Sequence, residues 1–114
     1  MAFIRVQFFP SGTDGPVKSF LDNLVRGRPR AYLKLALDLE VLGADGMRSP
    51  QISVRSMGAG LWELRRGFEG VQYRIFFCIE GGAAWLLHAI EKKGQKTPLD
   101  ALRTARLRMR RVIA

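Results

Sequence analysis

Apolar residues in the first half of the chain alternate briefly and then recur at helical spacing. Residues 3–9 place apolar and polar side chains in turn, which predicts a short β-strand. Pro16 suits the first turn of a helix because its φ angle is already helical, and an apolar stripe follows as far as Gly27. A second stripe begins at Pro29 and continues to Gly43, which is expected to cap that helix. The two helices are therefore predicted to form a hairpin that packs on a sheet.

The second half of the chain has strand periodicity. Three strands are predicted at Leu61–Arg66, Val71–Ile79 and Ala84–Glu91, and the short, glycine-containing connections between them favour an antiparallel meander. Residues 52–54 mark only a marginal strand ahead of them. The middle strand is largely apolar on both faces, so it is predicted to be central, with Arg74 near its accessible end.

The last helix has a defined start. Thr97 can cap it, Pro98 suits its first position, and Asp100 faces the positive end of the helix dipole. One stripe of this helix is apolar and can dock on the sheet, whereas another is basic. The predicted order is β-α-α-β-β-β-α, which is an α+β class, and 114 residues allow a single domain over 1–114.

Charge is distributed unevenly along the chain. Lysine and arginine number 19 and aspartate and glutamate number 10, which gives a formal net charge of +9. The segment 92–114 holds eight of the basic residues and one acid, so +7 of that charge lies there. Such a surface suits a polyanion, because each Lys or Arg beside a phosphate releases condensed counterions. Nucleic acid is the expected partner, and the basic stripe of the last helix offers three candidate RNA contacts: Arg103, Arg106 and Arg110.

Other features of the composition exclude several classes of protein. Cys78 is the sole cysteine, so no intrachain disulfide can form, and its apolar neighbours predict a small buried hydrophobe. One histidine and one cysteine argue against a zinc site, and no metal or other cofactor is expected. No segment has the pattern of a secretory signal or the length of a membrane span. A reduced, cytoplasmic protein is therefore expected.

Four segments in a fixed order resemble a known family. They are LWELR (61–65), YRIFF (73–77), LLH (86–88) and KKGQKTP (92–98), and the basic helix follows them. In this combination they resemble the phage-derived HigB-like toxins of the RelE superfamily, the toxic halves of bacterial type II toxin–antitoxin pairs. The resemblance implies a RelE-like fold, in which an N-terminal helical hairpin packs on a small, mostly antiparallel twisted sheet and a basic helix ends the chain.

The same resemblance implies an activity and partners. Members of the superfamily are small metal-free ribonucleases, and most cleave mRNA in the ribosomal A site unless a cognate antitoxin neutralises them. In the HigB-like branch the antitoxin is usually a helix-turn-helix DNA-binding protein. Without a metal, the ribose 2′-OH attacks the neighbouring phosphate and leaves a 2′,3′-cyclic phosphate and a free 5′-OH. Fixed cations would stabilise the negative charge that develops in this transition state.

Three cationic side chains are the leading candidates for that catalytic role. Arg65 can clamp a phosphate through its guanidinium fork, and the alternative is a surface pair with Glu63 or Glu69. Arg74 interrupts an apolar strand and matches the superfamily's catalytic arginine after an aromatic residue, and the alternative is a buried structural ion pair. Lys96 lies nearest the predicted helix N-terminus, where anions are favoured, and the alternative is a solvated loop.

The remaining candidates concern RNA binding and proton transfer. Lys92 and Lys93 precede the last helix and are candidate RNA contacts. His88 has an ordinary pKa suited to proton transfer near neutrality, although its apolar neighbours favour a structural role, and Glu63 is a candidate general base. The last helix lacks the tyrosine or histidine that several RelE-type enzymes carry there. The acid and base therefore stay open, and charge stabilisation is the minimum mechanism.

A second hypothesis is non-enzymatic. The chain would then be a small RNA- or DNA-binding regulator that uses its basic helix, or an inactive phage-derived toxin remnant. An adjacent reading frame for a helix-turn-helix protein would favour the toxin, as would growth arrest that Arg74→Ala relieves.

Overall fold

The computed structural model describes residues 3–92, 94 and 96–113, and within them the chain forms five strands and three helices. Their order along the chain is β1 (Arg5–Phe8), α1 (Pro16–Gly27), α2 (Pro29–Asp45), β2 (Ser53–Gly58), β3 (Leu61–Phe68), β4 (Val71–Glu80), β5 (Ala83–Lys92) and α3 (Leu99–Ile113).

All five strands belong to one mixed sheet, in the spatial order β1-β5-β4-β3-β2. Strands β2 to β5 form an antiparallel meander, and β1 returns to pair in parallel with β5. The predictions of an α+β class, an antiparallel meander and a central β4 are confirmed. The predicted element order was wrong by one strand, because the marginal segment at 52–54 opens β2, a full edge strand. Its polar, exposed residues hide the alternation that a half-buried strand would show.

The helical hairpin has the predicted bounds except at one end. Helix α2 continues past Gly43 to Asp45, and Gly46 follows with a φ of +87° and donates its N–H to the Leu42 carbonyl at 3.1 Å. Gly43 has a different function, because a Cβ atom there would lie 3.1 Å from the Ile4 carbonyl oxygen. The Ile4 N–H donates to the Gly43 carbonyl at 2.9 Å, so this glycine lets β1 approach the helix closely.

The sheet buries a different core on each face. The face under α1 and α2, here called the hairpin face, holds an apolar core that includes Val17, Leu21, Leu35, Leu42, Leu64, Ile75, Phe77 and Leu86. The opposite face, here called the α3 face, holds a smaller apolar core that includes Leu61, Phe76, Cys78, Leu87, Ala101, Ala105 and Met109. The expected docking of the apolar stripe of α3 and the expected burial of Cys78 are confirmed. Burial, followed by the charge of Glu80, raises the pKa of the Cys78 thiol to about 11.

The start of α3 differs from the prediction. The first helical residue is Leu99 rather than Pro98, and the Thr97 hydroxyl bonds to side chains of the sheet, as described below. None of the helices in the described part of the chain is long and apolar enough to cross a membrane.

Candidate functional site

The register of β3 and β4 brings two arginines together on the α3 face. Arg65 lies directly opposite Arg74, and Glu63 lies opposite Phe76. Because side chains alternate between the faces of a strand, Glu63, Arg65 and Arg74 all point toward α3. Like charges directly opposite each other on a sheet are destabilising, so this pair of arginines requires a counterion.

Glu63 supplies that counterion from a buried position. Arg65 Nε donates to Glu63 Oε1, and Arg74 Nη1 donates to Glu63 Oε2 at 3.2 Å. The Thr97 hydroxyl donates to the same Oε2 at 2.7 Å and accepts a bond from Arg74 Nη1 at 2.9 Å. The side chains of Glu63 and Arg74 have no exposed surface, whereas that of Arg65 is 18% exposed. A single carboxylate therefore joins two strands to the segment that precedes α3.

The surroundings of Glu63 keep it ionised. Burial alone would raise its pKa, but hydrogen bonds from Arg65 and Thr97 and the charge of Arg74 outweigh burial and hold the pKa below its ordinary value. Both of its oxygens accept hydrogen bonds from neighbouring side chains. This arrangement suits a fixed counterion better than a base that must receive a proton, and a catalytic role for Glu63 stays a prediction.

Two lysines extend the group beyond the sheet. Lys92 pairs with Gln72 at the end of β5, on the same face as Arg74. Desolvation and then the charge of Arg74 lower the pKa of the Lys92 ammonium, and the charges of Arg65 and Lys96 act in the same direction while Glu63 opposes them. Lys92 therefore lies within electrostatic reach of Arg65, Arg74 and Lys96. Lys96 is exposed beside Thr97.

We call Glu63, Arg65, Arg74, Lys92, Lys96 and Thr97 the cationic cluster. It carries four formal positive charges and one negative charge, and it lies where the sheet meets the start of α3. Lys93, the other lysine expected here, lies outside the described residues.

Arg74 is buried, not accessible as predicted. Its side chain has no exposed surface, because α3 and the residues leading into it cover this part of the sheet. Of the four cations, Arg65, Lys92 and Lys96 are at least partly accessible from the surface, whereas the buried Arg74 contacts Glu63 and Thr97. The sequence shows that Arg74 interrupts an apolar strand, but burial depends on what packs over the strand.

His88 lies apart from the cationic cluster. Its ring stacks on Phe76 with centroids 6.2 Å apart, and its Nδ1 lies 3.2 Å from an Arg108 nitrogen. Phe76 is the direct neighbour of Glu63 on one side and of His88 on the other. Two inter-strand spacings of about 4.8 Å each therefore separate His88 from Glu63. Desolvation, followed by the charge of Arg108, lowers the pKa of His88, which fits the structural reading.

The basic stripe of α3 divides into two kinds of side chain. Arg103 is exposed beside Asp100 at 3.3 Å, and Arg110 is exposed as well. Arg106, in contrast, donates to the carbonyl oxygens of Met57 at 2.6 Å and Gly58 at 3.2 Å. Arg106 therefore holds α3 against β2. Arg103 and Arg110 are the members of the stripe that are exposed and accessible to a polyanion.

Two contributing residues were missed by sequence reasoning. Thr97 was assigned to the helix cap, but its hydroxyl completes the cationic cluster. Arg108 lies outside the three predicted RNA contacts of α3, and it donates to the Leu87 carbonyl at 2.8 Å and holds α3 against β5. In a sequence, a threonine before a proline predicts a helix start whether its hydroxyl caps the helix or bonds to another element. Only the fold shows where the hydroxyl points.

The described residues contain no group of three or more His, Cys, Asp or Glu side chains placed to hold a metal ion. A search of curated proteins gave no match. A family profile described as phage-derived protein Gp49-like (DUF891) matches residues 20–110, which include most of α1, all of α2, β2 to β5, the whole cationic cluster and most of α3. The chain therefore belongs to the Gp49-like family of phage-derived proteins, which is related to the RelE- and HigB-like toxins.

Proposed function

We propose that this protein is the toxin of a type II toxin–antitoxin pair of the HigB-like kind, and that it cleaves mRNA on the ribosome in the cytoplasm without a metal. The observation that carries the proposal is the cationic cluster, in which four cations surround one buried carboxylate. A group with this excess of positive charge is suited to a phosphodiester linkage that gains negative charge in its transition state. Membership of the Gp49-like family, which is related to toxins, supports the same proposal.

Arg65 is the proposed phosphate-binding residue. Its bond to Glu63 uses Nε, and no described side chain accepts a bond from its terminal nitrogens. Those nitrogens present the guanidinium fork that binds phosphate oxygens in a bidentate manner. Its side chain is 18% exposed, so a backbone phosphate can reach it from the surface.

Lys92 and Lys96 are proposed to complete the site. The charges of Arg65 and Lys96 both act on Lys92, and Lys96 is exposed beside Thr97. In the reaction, the 2′-oxygen gives its proton to a solvent water and bonds to phosphorus, the bond from phosphorus to the 5′-oxygen breaks, and that leaving oxygen takes up a proton. Lys92 is the proposed donor, because its lowered pKa makes its ammonium a better acid than an ordinary lysine.

Arg74 and Thr97 are proposed as positioning residues. Arg74 is buried and bonds to Glu63 and Thr97, so it fixes the carboxylate that in turn holds Arg65. Positioning of this kind matters because a preorganised cation stabilises charge without reorganisation during the reaction.

The partner that we propose is a helix-turn-helix antitoxin. Its binding would cover the cationic cluster or keep the toxin from the ribosome. Co-expression of the protein encoded in the adjacent reading frame should restore growth to cells that express this chain. Failure of every neighbouring frame to do so would contradict the toxin–antitoxin assignment.

The test of cleavage is to map the 5′ ends of cellular mRNA after brief induction. The wild-type chain should create new 5′-hydroxyl ends within coding regions, and Arg65→Ala should abolish them. Arg5→Ala removes an equal charge from an exposed position on β1, beside the β4–β5 turn, and should leave them in place. New ends that persist unchanged in Arg65→Ala would contradict the assignment of the site, and their absence in the wild type would contradict the nuclease.

One observation favours the non-catalytic alternative. Glu63 is engaged by three donors and His88 is separated from the cationic cluster by Phe76. Neither conventional proton acceptor of the described residues is therefore placed to activate a 2′-OH at Arg65. If the wild-type protein binds RNA tightly but creates no new 5′ ends, this alternative is the correct one.

A further inference from the structure

A second group of cations lies at the junction of the helical hairpin. Arg28 separates α1 from α2, and Arg30 and Lys34 follow on the first turns of α2. The Arg30 guanidinium carbon lies 5.7 Å from the centre of the Phe68 ring, and the Lys34 ammonium lies 5.8 Å from it. Two cations thus share one aromatic ring at the end of β3.

This group lies at the same end of the sheet as the cationic cluster. Arg28 donates to the Tyr73 hydroxyl at 3.1 Å, and Tyr73 is the chain neighbour of Arg74. Tyr73 pairs with Glu91, and the next pair along is Gln72 with Lys92. Adjacent residues of a strand point to opposite faces, so the two groups of cations occupy opposite faces of one sheet end.

A pocket of about 480 Å³ lies between the junction and the β3–β4 turn. Its lining combines apolar and aromatic side chains with one cation and one acid: Phe68, Val71, Tyr73, Arg28 and Glu69, with Gly70 in the turn. The volume falls within the range of roughly 300–1,000 Å³ that is typical of ligand pockets. We call Arg28, Arg30, Lys34, Phe68 and this pocket the junction surface.

The acids that face the junction surface hold its cations weakly. Arg30 lies 3.6 Å from Glu69, and their side chains are 77% and 62% exposed. Arg28 lies 3.9 Å from Glu91, and both of these side chains are close to half exposed. Exposed pairs of this kind are weak, so an incoming phosphate can replace either carboxylate.

We propose that the junction surface binds the RNA strand as it continues from the cationic cluster around the end of the sheet. Arg28, Arg30 and Lys34 would contact backbone phosphates, and an unstacked base would lie against the Arg30 guanidinium above Phe68. Bases of single-stranded RNA stack on aromatic rings and on arginine planes. The choice of RNA rests on the proposed function, and the aromatic ring beneath two cations favours it over an acidic protein.

The test measures RNA binding separately from cleavage. A fluorescein-labelled single-stranded RNA with 2′-O-methyl riboses cannot undergo 2′-OH attack, so its anisotropy reports binding alone. Arg30→Gln with Lys34→Gln should weaken binding several-fold and should flatten the dependence of log K on log salt by about 1.4, since each lost contact to a single strand removes about 0.7.

The control variant changes the same net charge at the opposite end of the sheet. Arg5→Gln with Lys18→Gln removes a guanidinium beside the β4–β5 turn and an ammonium on α1. This variant should bind RNA like the wild type. Equal weakening by both double variants, or no weakening by the junction variant, would overturn the proposal.

Two further measurements show whether the choice of RNA, the junction surface or the nuclease assignment is wrong. Poly-L-glutamate serves as an acidic polypeptide probe, and loss of its binding in the junction variant without loss of RNA binding would overturn the choice of RNA. If binding follows the expectation while the wild type creates no new mRNA ends, the junction surface stands and the nuclease assignment fails. If cleavage is mapped but the junction variant binds RNA normally, the present proposal fails alone.

Discussion

Two buried carboxylates, one on each face of the sheet, have different surroundings. Asp38 is a buried residue of α2, and Arg66 is the only described residue whose side chain donates to it, with Arg66 Nε 2.8 Å from its Oδ2. Glu63 on the α3 face accepts bonds from Arg65, Arg74 and Thr97. Asp38 and Arg66 carry equal and opposite charges, which is sufficient for a structural ion pair.

The surroundings of Glu63 contain more positive charge than one carboxylate can neutralise. Lys92 and Lys96 add to the two arginines, and the pKa of Lys92 is lowered first by desolvation and then by the charges of Arg74, Arg65 and Lys96. Repulsion of this kind destabilises the fold and would be relieved by an anion. The excess of cations around Glu63, which Asp38 lacks, therefore supports the proposal that a phosphate of the RNA backbone binds on the α3 face.

The largest expected effect is a difference in the free energy of unfolding between variants of the two buried carboxylates. Glu63→Gln removes the negative charge that bonds to both Arg65 and the buried Arg74 and should lower the free energy of unfolding by about 3–5 kcal/mol. Asp38→Asn should lower it less, by about 1–3 kcal/mol, because the Arg66 side chain is 30% exposed and can regain water. Urea unfolding followed by circular dichroism measures both. Equal losses would mean that the two carboxylates have the same structural function.

Neighbouring arginines on β3 allow the same comparison for activity. Arg65→Ala should reduce mRNA cleavage by about 10²–10³-fold, the usual consequence of removing one preorganised donor from a transition-state site. Arg66→Ala leaves Asp38 buried without its partner and should lower stability, yet cleavage per folded molecule should be unchanged. Cleavage in a reconstituted translation reaction, normalised to the folded fraction, distinguishes them. A comparable loss of activity in both variants would remove the distinction between the faces.

Local sequence signals predicted most of the fold. Alternation located β3, β4 and β5 to within two residues at each end, and the prolines at 16 and 29 fixed the starts of α1 and α2. Position 43 was misread, because a glycine near the end of a helical stripe looks like a cap whether it ends the helix or admits β1. Such a distinction depends on a contact between segments nearly forty residues apart.

The cationic cluster could be predicted only as a set of residue types. Arg65, Arg74 and Lys96 were named from the sequence, but the register that places the two arginines opposite each other depends on the pairing of β3 with β4. The burial of Arg74 and the position of Thr97 depend on how α3 packs. The hydrophobic periodicity and the composition of the sequence carry no information on the burial of Arg74 or the position of Thr97. Both depend on contacts between elements.

A smaller effect is expected from the hydroxyl that completes the Glu63 site. Thr97→Val keeps the shape of the side chain but removes one donor to Glu63 and one acceptor for Arg74. It should lower the free energy of unfolding by about 1 kcal/mol, the usual net contribution of a hydrogen bond. Thr97→Ser should restore both stability and cleavage. If valine is tolerated fully, the hydroxyl does not contribute to holding Glu63.

The smallest expected effect concerns pH and separates His88 from Glu63. The ordinary pKa of histidine is 6.5, and that of His88 is lowered in the folded protein, so below about pH 6.5 the unfolded chain gains a proton that the folded chain does not. Stability should therefore begin to fall as the pH drops below that value. The lowered pKa of Glu63 adds stability above its ordinary pKa of 4.5, and that stability is lost at lower pH, as the folded carboxylate is protonated.

Acid titration of stability should accordingly show two steps, and His88→Gln should remove the upper one alone. Glutamine keeps an oxygen that can accept a bond from Arg108 but does not titrate. Urea unfolding midpoints between pH 3 and pH 8 provide the measurement. Because Phe76 separates His88 from the Glu63 site, cleavage at pH 7 should be unchanged in this variant. If the upper step persists in His88→Gln, another group causes it. If cleavage is lost in this variant, the active site extends past Phe76 on the α3 face.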